Sequence, residues 1–407
     1  MHVLFMAPNF PANQRFFVRA LHQVGAKVTG IGDTPPEYLD SELKSWLHGY
    51  EHIASMANEG ALIDCVRKIQ RREWVDRLEC TVEAIMTPTA AARSACTIPG
   101  LTPEQVTLCR DKSIMKQFLR NRGIPCARSA EVEAVADAVQ FVKEVGYPVI
   151  VKPRDGAGAS GTTRVENDEE LKTALGEAGL GHRPAKVMME EFITGHEGFY
   201  DTLTVDGEIV FEAVSHYYPN VLEAMRTRWI NPYIVTTNRI DAPGYDELKV
   251  MGRKVIRELG LHTSPTHMEW FYGQKGLAFS EIGARPPGVR FWDLYCWAND
   301  IDLYVEWAKA LCKKDVRPQP SRRFSASLLS LRPSGDGRIQ GYTGLEEVQK
   351  EVGRYIGEAH LPAVGSRTAD VGAGYMGHAW MHLRHPDYDE CRKITEYVGR
   401  TVRVWAG

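Results

Sequence analysis

Residues 267–282 read His-Met-Glu-Trp-Phe-Tyr-Gly-Gln-Lys-Gly-Leu-Ala-Phe-Ser-Glu-Ile, and this stretch decides the fold. Apolar and aromatic residues on both sides of a Gly-Gln-Lys-Gly turn predict a β-hairpin. If residues 274–276 form a three-residue loop with Gly276 at positive φ, Glu269 lies opposite Glu281 and both side chains point the same way. A two-residue or four-residue loop would instead put the two glutamates on opposite faces.

The opposed pair, Glu269 and Glu281, has a chemical consequence. Like charges that face each other across a ladder destabilise a sheet, unless a divalent cation lies between them. The hairpin therefore predicts a Mg²⁺ site with these two glutamates as ligands, and Mn²⁺ is an alternative ion. Hairpins with solvated glutamates are common, which leaves a purely structural interpretation open.

Composition limits the class of protein. The chain has 407 residues, of which 43% are hydrophobic and 25% are charged, so we expect two to four domains. A formal net charge of −3 argues against nucleic-acid and membrane partners. Eight scattered cysteines with no C-x-x-C spacing, and no apolar stretch of about 18 residues, predict a cytoplasmic protein that is not anchored to a membrane.

The pattern of apolar residues and of Pro- and Gly-containing breaks predicts four parts of the chain. Residues 1–102 predict a βαβ domain that serves as scaffold, since the first loop, residues 7–13, lacks the G-x-G-x-x-G fingerprint. Residues 103–185 predict a small α+β subdomain, and residues 186–315 predict a central antiparallel sheet. A Pro-containing linker precedes a β-rich subdomain at 320–407.

A second chemical signal is a lysine at a strand end followed by a small-residue loop. Lys152 precedes Pro-Arg-Asp-Gly-Ala-Gly-Ala-Ser-Gly-Thr162. Small residues let backbone N–H groups approach a polyphosphate, and the lysine supplies a point charge. The candidate nucleotide contacts in the loop are Gly156, Gly158, Ser160 and Gly161. Glycine-rich hairpins without a ligand are also frequent.

A third signal is the acidic and apolar run that ends another strand. Its members are Glu190, Glu191, Phe192 and Ile193, and Glu197 follows shortly after. Such a strand end can offer a carbonyl and an N–H to an adenine edge with apolar cover, and Glu197 can accept a hydrogen bond from a ribose hydroxyl. An acidic pair at a strand end is, however, often only solvated.

In this order the residues resemble the ATP-grasp superfamily, and the resemblance runs from about residue 100 to 315. It implies an ATP-grasp fold of mixed α/β and α+β class, with a βαβ domain before it and a β-rich subdomain after it. It also implies that Lys112 and Lys152 bind phosphates, that residues 190–193 form the adenine hinge, and that Glu269 and Glu281 carry Mg²⁺ on the β and γ phosphates of ATP.

The same resemblance gives Arg285, four residues after Glu281, a catalytic role together with Lys152. Many members have an asparagine ligand at the position of Gly283, so we expect a two-glutamate site similar to that of the formate-dependent glycinamide ribonucleotide transformylase branch.

The implied function is that of an ATP-dependent ligase. It activates a small carboxylate as an acyl phosphate and joins it to an amine, with ADP and phosphate as products. The alternatives are a purine-pathway enzyme that formylates or carboxylates a ribonucleotide, and an ATP-binding module without ligase chemistry. We expect small-molecule carboxylate and amine substrates, and a homodimer by analogy with related enzymes.

Candidate residues for the substrate carboxylate are Arg290, which follows the hairpin, and Arg226 and Arg228 in an aromatic and basic stretch. That stretch could equally be a surface loop with tyrosines packed on the sheet. The sequence does not identify the acid or the amine.

Overall fold

The computed structural model describes residues 1–153, 163–180, 187–288, 290–369 and 379–407. Within these ranges the strands form a four-stranded parallel sheet, a second four-stranded sheet, an eight-stranded antiparallel sheet and a two-stranded ladder. This is the mixed α/β and α+β architecture that the sequence predicts.

The first domain is a parallel sheet covered by helices. Its elements are β1 (His2–Met6), α1 (Gln14–Gln23), β2 (Lys27–Gly32), α2 (Ser41–Trp46), β3 (Gly49–His52), α3 (Glu59–Gln70), β4 (Arg77–Glu79) and α4 (Met86–Ala95). The strand order is β3-β2-β1-β4. β1 is buried along its whole length because it is an inner parallel strand covered on both faces. The predicted βαβ layer is confirmed.

Two helices, α5 (Pro103–Arg110) and α6 (Lys112–Arg120), follow this domain. Asp111 caps α6, since its side chain accepts the N–H groups of Ser113 and Ile114. The cap fixes Lys112 in the first turn. Leu119 joins a buried cluster that also contains Phe279 of the predicted hairpin. These helices therefore pack against the central sheet, and the predicted assignment of residues 103–120 to the small subdomain is wrong.

The small subdomain is a separate sheet, which we call the lid. Its elements are β5 (Ser129–Val132), α7 (Val135–Val145), β6 (Val149–Pro153), β7 (Thr163–Val165), α8 (Asp168–Glu177) and β8 (Val187–Glu191). The strand order is β5-β8-β6-β7, and the lid has its own buried cluster. β8 pairs with both β5 and β6. The predicted boundary between residues 185 and 186 is therefore too early by one strand.

The large sheet combines the middle and the end of the chain. The middle supplies β9 (His196–Val205), β10 (Glu208–Tyr218), α9 (Val221–Arg226), β11 (Tyr233–Thr236), α10 (Asp246–Glu258), β12 (Ser264–Gly273), β13 (Gly276–Gly283), α11 (Phe291–Asn299) and α12 (Leu303–Leu311). The end supplies β14 (Ser325–Leu331), β15 (Ile339–Thr343), α13 (Leu345–Val352), β16 (Ile356–His360), β17 (Ala379–His385), α14 (Tyr388–Thr401) and β18 (Arg403–Ala406).

The strand order of this sheet is β13-β12-β9-β10-β11-β14-β17-β16, and β15 pairs separately with β18. The prediction of a β-rich C-terminal part at 320–407 agrees with these strands. This part does not form a sheet of its own, because β14, β17 and β16 hydrogen-bond into the central sheet.

The hairpin of β12 and β13 has a shorter connection than the sequence predicts. Gly273 pairs with Gly276, so only Gln274 and Lys275 connect the strands. Gly276 has φ +84°, as predicted, a conformation that glycine adopts without strain. The predicted three-residue loop is wrong in length.

An irregularity further along the hairpin compensates for the short connection. The register shifts by one residue between the pair Trp270–Phe279 and the pair Glu269–Glu281, because Ser280 is an extra residue on β13. Such a bulge changes which residues face each other. Glu269 therefore lies opposite Glu281, as predicted, although the predicted route to this pairing was wrong.

An aromatic cluster joins the first domain to the large sheet. Phe17 of α1 packs edge-on against Tyr304 and Trp307 of α12, with ring centroids 4.8 and 5.0 Å apart. These residues share one buried cluster with strands β9 and β10. Among the described residues, no helix is long and apolar enough to cross a membrane.

Candidate active site

Three carboxylates lie on one face of the large sheet. Glu269 is opposite Glu281, and Glu197 is two residues further along, paired with Phe271. Burial and the charge of Glu281 raise the pKa of Glu269. Burial and the charge of Glu269 raise the pKa of Glu197 to about 8. Three acids close together and partly shielded from water favour a bound positive charge.

Lys112 supplies part of this positive charge. Its ammonium forms an ion pair with Glu281. Burial acts to raise the pKa of Glu281, but Lys112 outweighs it and the pKa lies below its ordinary value. Because the pair already accepts an ammonium, its position and charge fit a divalent cation bound between two carboxylates. The described residues contain no group of three or more potential metal ligands, and the two-glutamate site stays a prediction.

A largely buried histidine adjoins the carboxylate pair. His267 Nδ1 lies 2.7 Å from Asp201 Oδ1, and its Nε2 lies 3.8 Å from Glu269 Oε1. The Tyr295 hydroxyl donates to the other oxygen of Asp201 at 2.5 Å. Burial acts to lower the pKa of His267, but Asp201 outweighs it and raises the pKa. His267 is therefore held in one orientation beside the carboxylate pair.

Glu190 lies between two lysines. Its carboxylate contacts Lys152 Nζ at 2.6 Å and also pairs with Lys116, a buried residue one turn beyond Lys112. Burial acts to raise the pKa of Glu190, but the two ammonium groups lower it to about 2. The side chain of Glu190 thus holds Lys152 at the end of β6. The backbone contact to adenine that the sequence predicts for this strand end stays a prediction.

Arg285 is held by the first domain. Its Nε and Nη2 donate to Glu83 Oε2 at 2.7 and 2.5 Å, and its Nη1 donates to the Pro286 carbonyl oxygen at 2.9 Å. Glu83 lies in the short turn between β4 and α4. The first domain is therefore more than the scaffold that the sequence predicts.

Comparison with known proteins agrees with this geometry. Residues 111–203 match the family described as the carbamoyl-phosphate synthase L chain, ATP binding domain. An L-arginine-specific L-amino acid ligase of Bacillus subtilis is 27% identical over 290 residues, which cover 68% of this chain and 68% of that protein.

Two solved structures align over the whole chain. The L-amino acid ligase from Bacillus licheniformis gives a TM-score of 0.75 at 19% identity, covering 100% of this chain and 98% of that one. The phosphoribosylglycinamide synthetase from Anaerococcus prevotii gives 0.72 at 14% identity, covering 100% and 99%. The chain has the ATP-grasp fold. The predicted fold is thereby confirmed, and the predicted enzyme class, an ATP-dependent ligase, agrees with the activities named for these relatives.

The hinge, residues 190–193, joins the lid to the large sheet and is held by several contacts. Glu191 contacts Arg128 at 3.3 Å and Lys275 of the hairpin turn at 2.5 Å. The Phe192 N–H is donated to the Pro148 carbonyl oxygen at 3.3 Å. The N–H groups of Glu191 and Phe192 are therefore engaged. Within the described ranges, the N–H of Ile193 is the hinge donor that remains for an adenine. The adenine contacts of the hinge stay a prediction.

Glu197 is buried and its carboxylate accepts the Val221 N–H at 2.7 Å. This bond leaves lone pairs on the carboxylate for a ribose hydroxyl, and that role also stays a prediction. The predicted loop contacts Gly156, Gly158, Ser160 and Gly161 lie outside the described residues.

The three candidate substrate arginines are not brought together at the hairpin. Arg290 begins α11 and contacts Asp293 at 2.8 Å and Glu358 of β16 at 2.6 Å. Arg228 forms an ion pair with Asp336, and Arg226 ends α9. Their roles toward a substrate stay predictions.

Sequence reasoning missed several residues of this candidate site: Glu83, Lys116, Asp201 and His267. A signal existed for two of them. His267 is two residues before Glu269 and so shares its face of the strand. Lys116 is four residues after Lys112 and so lies one helical turn further on.

Proposed function

We propose that this chain is an ADP-forming ligase that joins the carboxylate of a small metabolite, in particular an amino acid, to an amine. The observation that carries the proposal is the opposed pair Glu269 and Glu281 with Lys112, Lys152 and Arg285 nearby. This set offers countercharges for a reaction in which anionic groups must meet.

The reaction has two balanced steps. In the first, an oxygen of the substrate carboxylate attacks the γ-phosphorus of ATP, the bond to the bridging oxygen breaks, and ADP leaves. In the second, the amine nitrogen attacks the carbonyl carbon of the acyl phosphate, phosphate leaves with the bonding electrons, and the nitrogen loses a proton. The product is an amide, and no side-chain nucleophile is needed.

The residues have distinct roles in this scheme. Lys112 and Lys152 exchange their carboxylate partners for the phosphates of ATP. Arg285 stabilises the charge on the transferred phosphoryl group. Glu269 and Glu281 hold Mg²⁺, which neutralises phosphate charge when bound. His267, oriented by Asp201, borders the carboxylate pair on the inner side.

The second candidate is a purine-type enzyme that acts on a ribonucleotide. The full-length likeness to phosphoribosylglycinamide synthetase favours it. Against it stands the loop at 7–13, which has no glycine-rich turn to approach a ribonucleotide phosphate.

The test is the release of ADP and phosphate from Mg-ATP against a panel of amino acids and small carboxylic acids, each with and without an amine. We expect release that depends on one acid, and a product mass equal to acid plus amine minus water. Release stimulated only by a ribonucleotide would support the second candidate. ATP binding without stimulation by any pair would contradict both.

A further inference from the structure

We propose that Glu83 is a positioning residue for Arg285, through which the first domain completes the phosphate-transfer site. The inference rests on the role given to Arg285 in the proposed function. It concerns a residue that does not itself belong to the nucleotide-binding core.

The guanidinium of Arg285 is held by hydrogen bonds on several sides. All three of its nitrogens are engaged, two by one oxygen of Glu83 and the third by the Pro286 carbonyl oxygen. A guanidinium has five N–H bonds in one plane. Three are used in these hydrogen bonds, and among the described residues no hydrogen bond is found for the second N–H of either terminal nitrogen. A planar group held at three nitrogens cannot rotate freely, so the two remaining N–H groups have a fixed direction.

Glu83 is in turn held in place by Arg110. Arg110 of α5 contacts Glu83 Oε1 at 3.0 Å and donates to the Glu83 carbonyl oxygen at 2.9 Å. Burial acts to raise the pKa of Glu83, but Arg285 and Arg110 outweigh it and keep the carboxylate ionised. The row Arg110, Glu83, Arg285 therefore links three separate parts of the chain.

Glu83 and the hairpin carboxylates compete for the guanidinium of Arg285. The charge of Glu281 is close enough to act on the pKa of Glu83. Without Glu83, the flexible Arg285 side chain could turn to the acidic pair on the hairpin. It would then neutralise the carboxylates that the cation needs. Glu83 prevents this by holding the guanidinium on the side of the first domain.

The test compares two ligands that differ in the γ-phosphate. Calorimetry on the full-length protein measures the dissociation constants of Mg-ADP and of the Mg²⁺ complex of the ATP analogue with an imido bridge between the β and γ phosphates. We expect Arg285→Ala to lower the preference for the analogue over ADP by about 10-fold. We expect Glu83→Ala to lower it several-fold, and Glu83→Gln, which keeps an acceptor oxygen, to lower it less.

A double variant separates positioning from an independent role. If Glu83 acts through Arg285, Glu83→Ala combined with Arg285→Ala is no worse than Arg285→Ala alone. Glu51 is the matched control, since it is also a first-domain carboxylate held by two cations, Lys68 and Arg72. Glu51→Ala should leave the preference unchanged.

Three results would overturn the inference: additive losses in the double variant, no change of preference in Arg285→Ala, or no change in both Glu83 variants. If the Glu83 variants raise only the KM of an acid substrate, Glu83 contacts that substrate instead. If the preference changes as expected but no acid stimulates turnover, the proposed function fails and the positioning role stands.

Discussion

At the scale of single residues, the two predicted phosphate lysines are already paired with acids. Lys112 is bound to Glu281 and Lys152 to Glu190. Under the proposed function, a phosphate group replaces a carboxylate at each lysine, and the exchange frees Glu281 for a cation. Nucleotide and cation should therefore bind more tightly together than either does alone.

Glu281→Gln tests the metal site directly. The amide keeps the volume of the side chain but removes the charge that a divalent cation needs, so we expect ATP turnover to fall at least about 100-fold. Circular dichroism should show an intact fold. Calorimetry should show weaker binding of Mg²⁺ in the presence of ADP.

Glu258→Gln is the control for this variant, because Glu258 pairs with Arg122 on the helix surface. It should keep full turnover. Unchanged turnover in Glu281→Gln would refute the assignment of Glu281 as a metal ligand.

Local spacing made the hairpin glutamates and Lys152 predictable, since each lies in a short pattern with a chemical meaning. Glu83 has no such pattern. Its partner Arg285 is 202 positions away in the sequence, and only the packing of the first domain against the large sheet brings them together. The same holds for Lys116, whose helix looks like an ordinary amphipathic one until Glu190 is placed beside it.

At the scale of elements, the hairpin illustrates how a correct pairing can be reached by two errors that cancel. The sequence predicts the strands and the positive φ of Gly276. It does not predict the extra residue at Ser280, because a bulge is set by how both strands pack on their neighbours. Turn chemistry is local, but register is a property of the whole sheet.

Gly273→Ala tests the contact between the hairpin tip and the hinge. A Cβ built on Gly273 would overlap the backbone carbonyl oxygen of Thr194, which cannot move aside cheaply. We expect the free energy of unfolding to fall by about 1–3 kcal/mol, and the dissociation constant for ATP to rise because the hinge shifts. Urea unfolding and calorimetry measure the two effects.

Gly176→Ala, in the lid helix α8, is the matched substitution, because a Cβ there would meet nothing within 4 Å. It should leave stability unchanged or raise it by up to about 1 kcal/mol. Equal losses in both variants would contradict the role of the close contact at Gly273.

A buried histidine, His216 of β10, with its neighbour His196 of β9 makes the fold sensitive to acid. His216 Nδ1 lies 2.9 Å from His196 Nε2, and its own Nε2 lies 2.8 Å from the Tyr245 hydroxyl. Burial, the neighbouring His196 and the charge of Arg392 lower the pKa of His216 to about 3. The unfolded chain therefore binds a proton near pH 6.5, whereas the folded protein does not.

The stability linked to His216 is fully present above about pH 6.5 and is lost as pH falls toward 3. At pH 5 the expected loss is about 2 kcal/mol relative to pH 8. Urea unfolding at several pH values measures it. His216→Gln should have a flatter pH dependence, whereas His52→Gln, at an exposed site, should keep that of the wild type.

At the scale of the whole molecule, the first domain and the large sheet share one aromatic core. Phe17→Ala removes a ring that is 1% exposed, so we expect a loss of about 3–5 kcal/mol. Because the first domain and the large sheet share this cluster, the protein should still unfold in a single transition. The midpoint of that transition should move to a lower urea concentration.

Phe10→Ala, at a ring that is 74% exposed, should leave this transition in place. If Phe17→Ala split the unfolding curve so that the first domain melted alone, the shared core would not be what couples the first domain to the large sheet.

The domain boundaries were the least predictable part of the fold. Composition breaks at 102 and 320 mark real connections, but they do not tell which sheet the next strand will join. β8 joins the lid, and β14, β16 and β17 join the large sheet, because strand pairing follows three-dimensional edges that a linear pattern does not contain.

The self-neutralised site has a consequence for the search for inhibitors. Under the proposed function, a compound that fills only the adenine site leaves the pairs Lys112–Glu281 and Lys152–Glu190 intact, so its affinity should not depend on chelators. On the same proposal, a compound with a phosphate-like group replaces the carboxylates in both pairs and should lose affinity when the divalent cation is removed. A thermal-shift screen run in parallel with and without EDTA would sort hits into these two chemical classes before any crystal is grown.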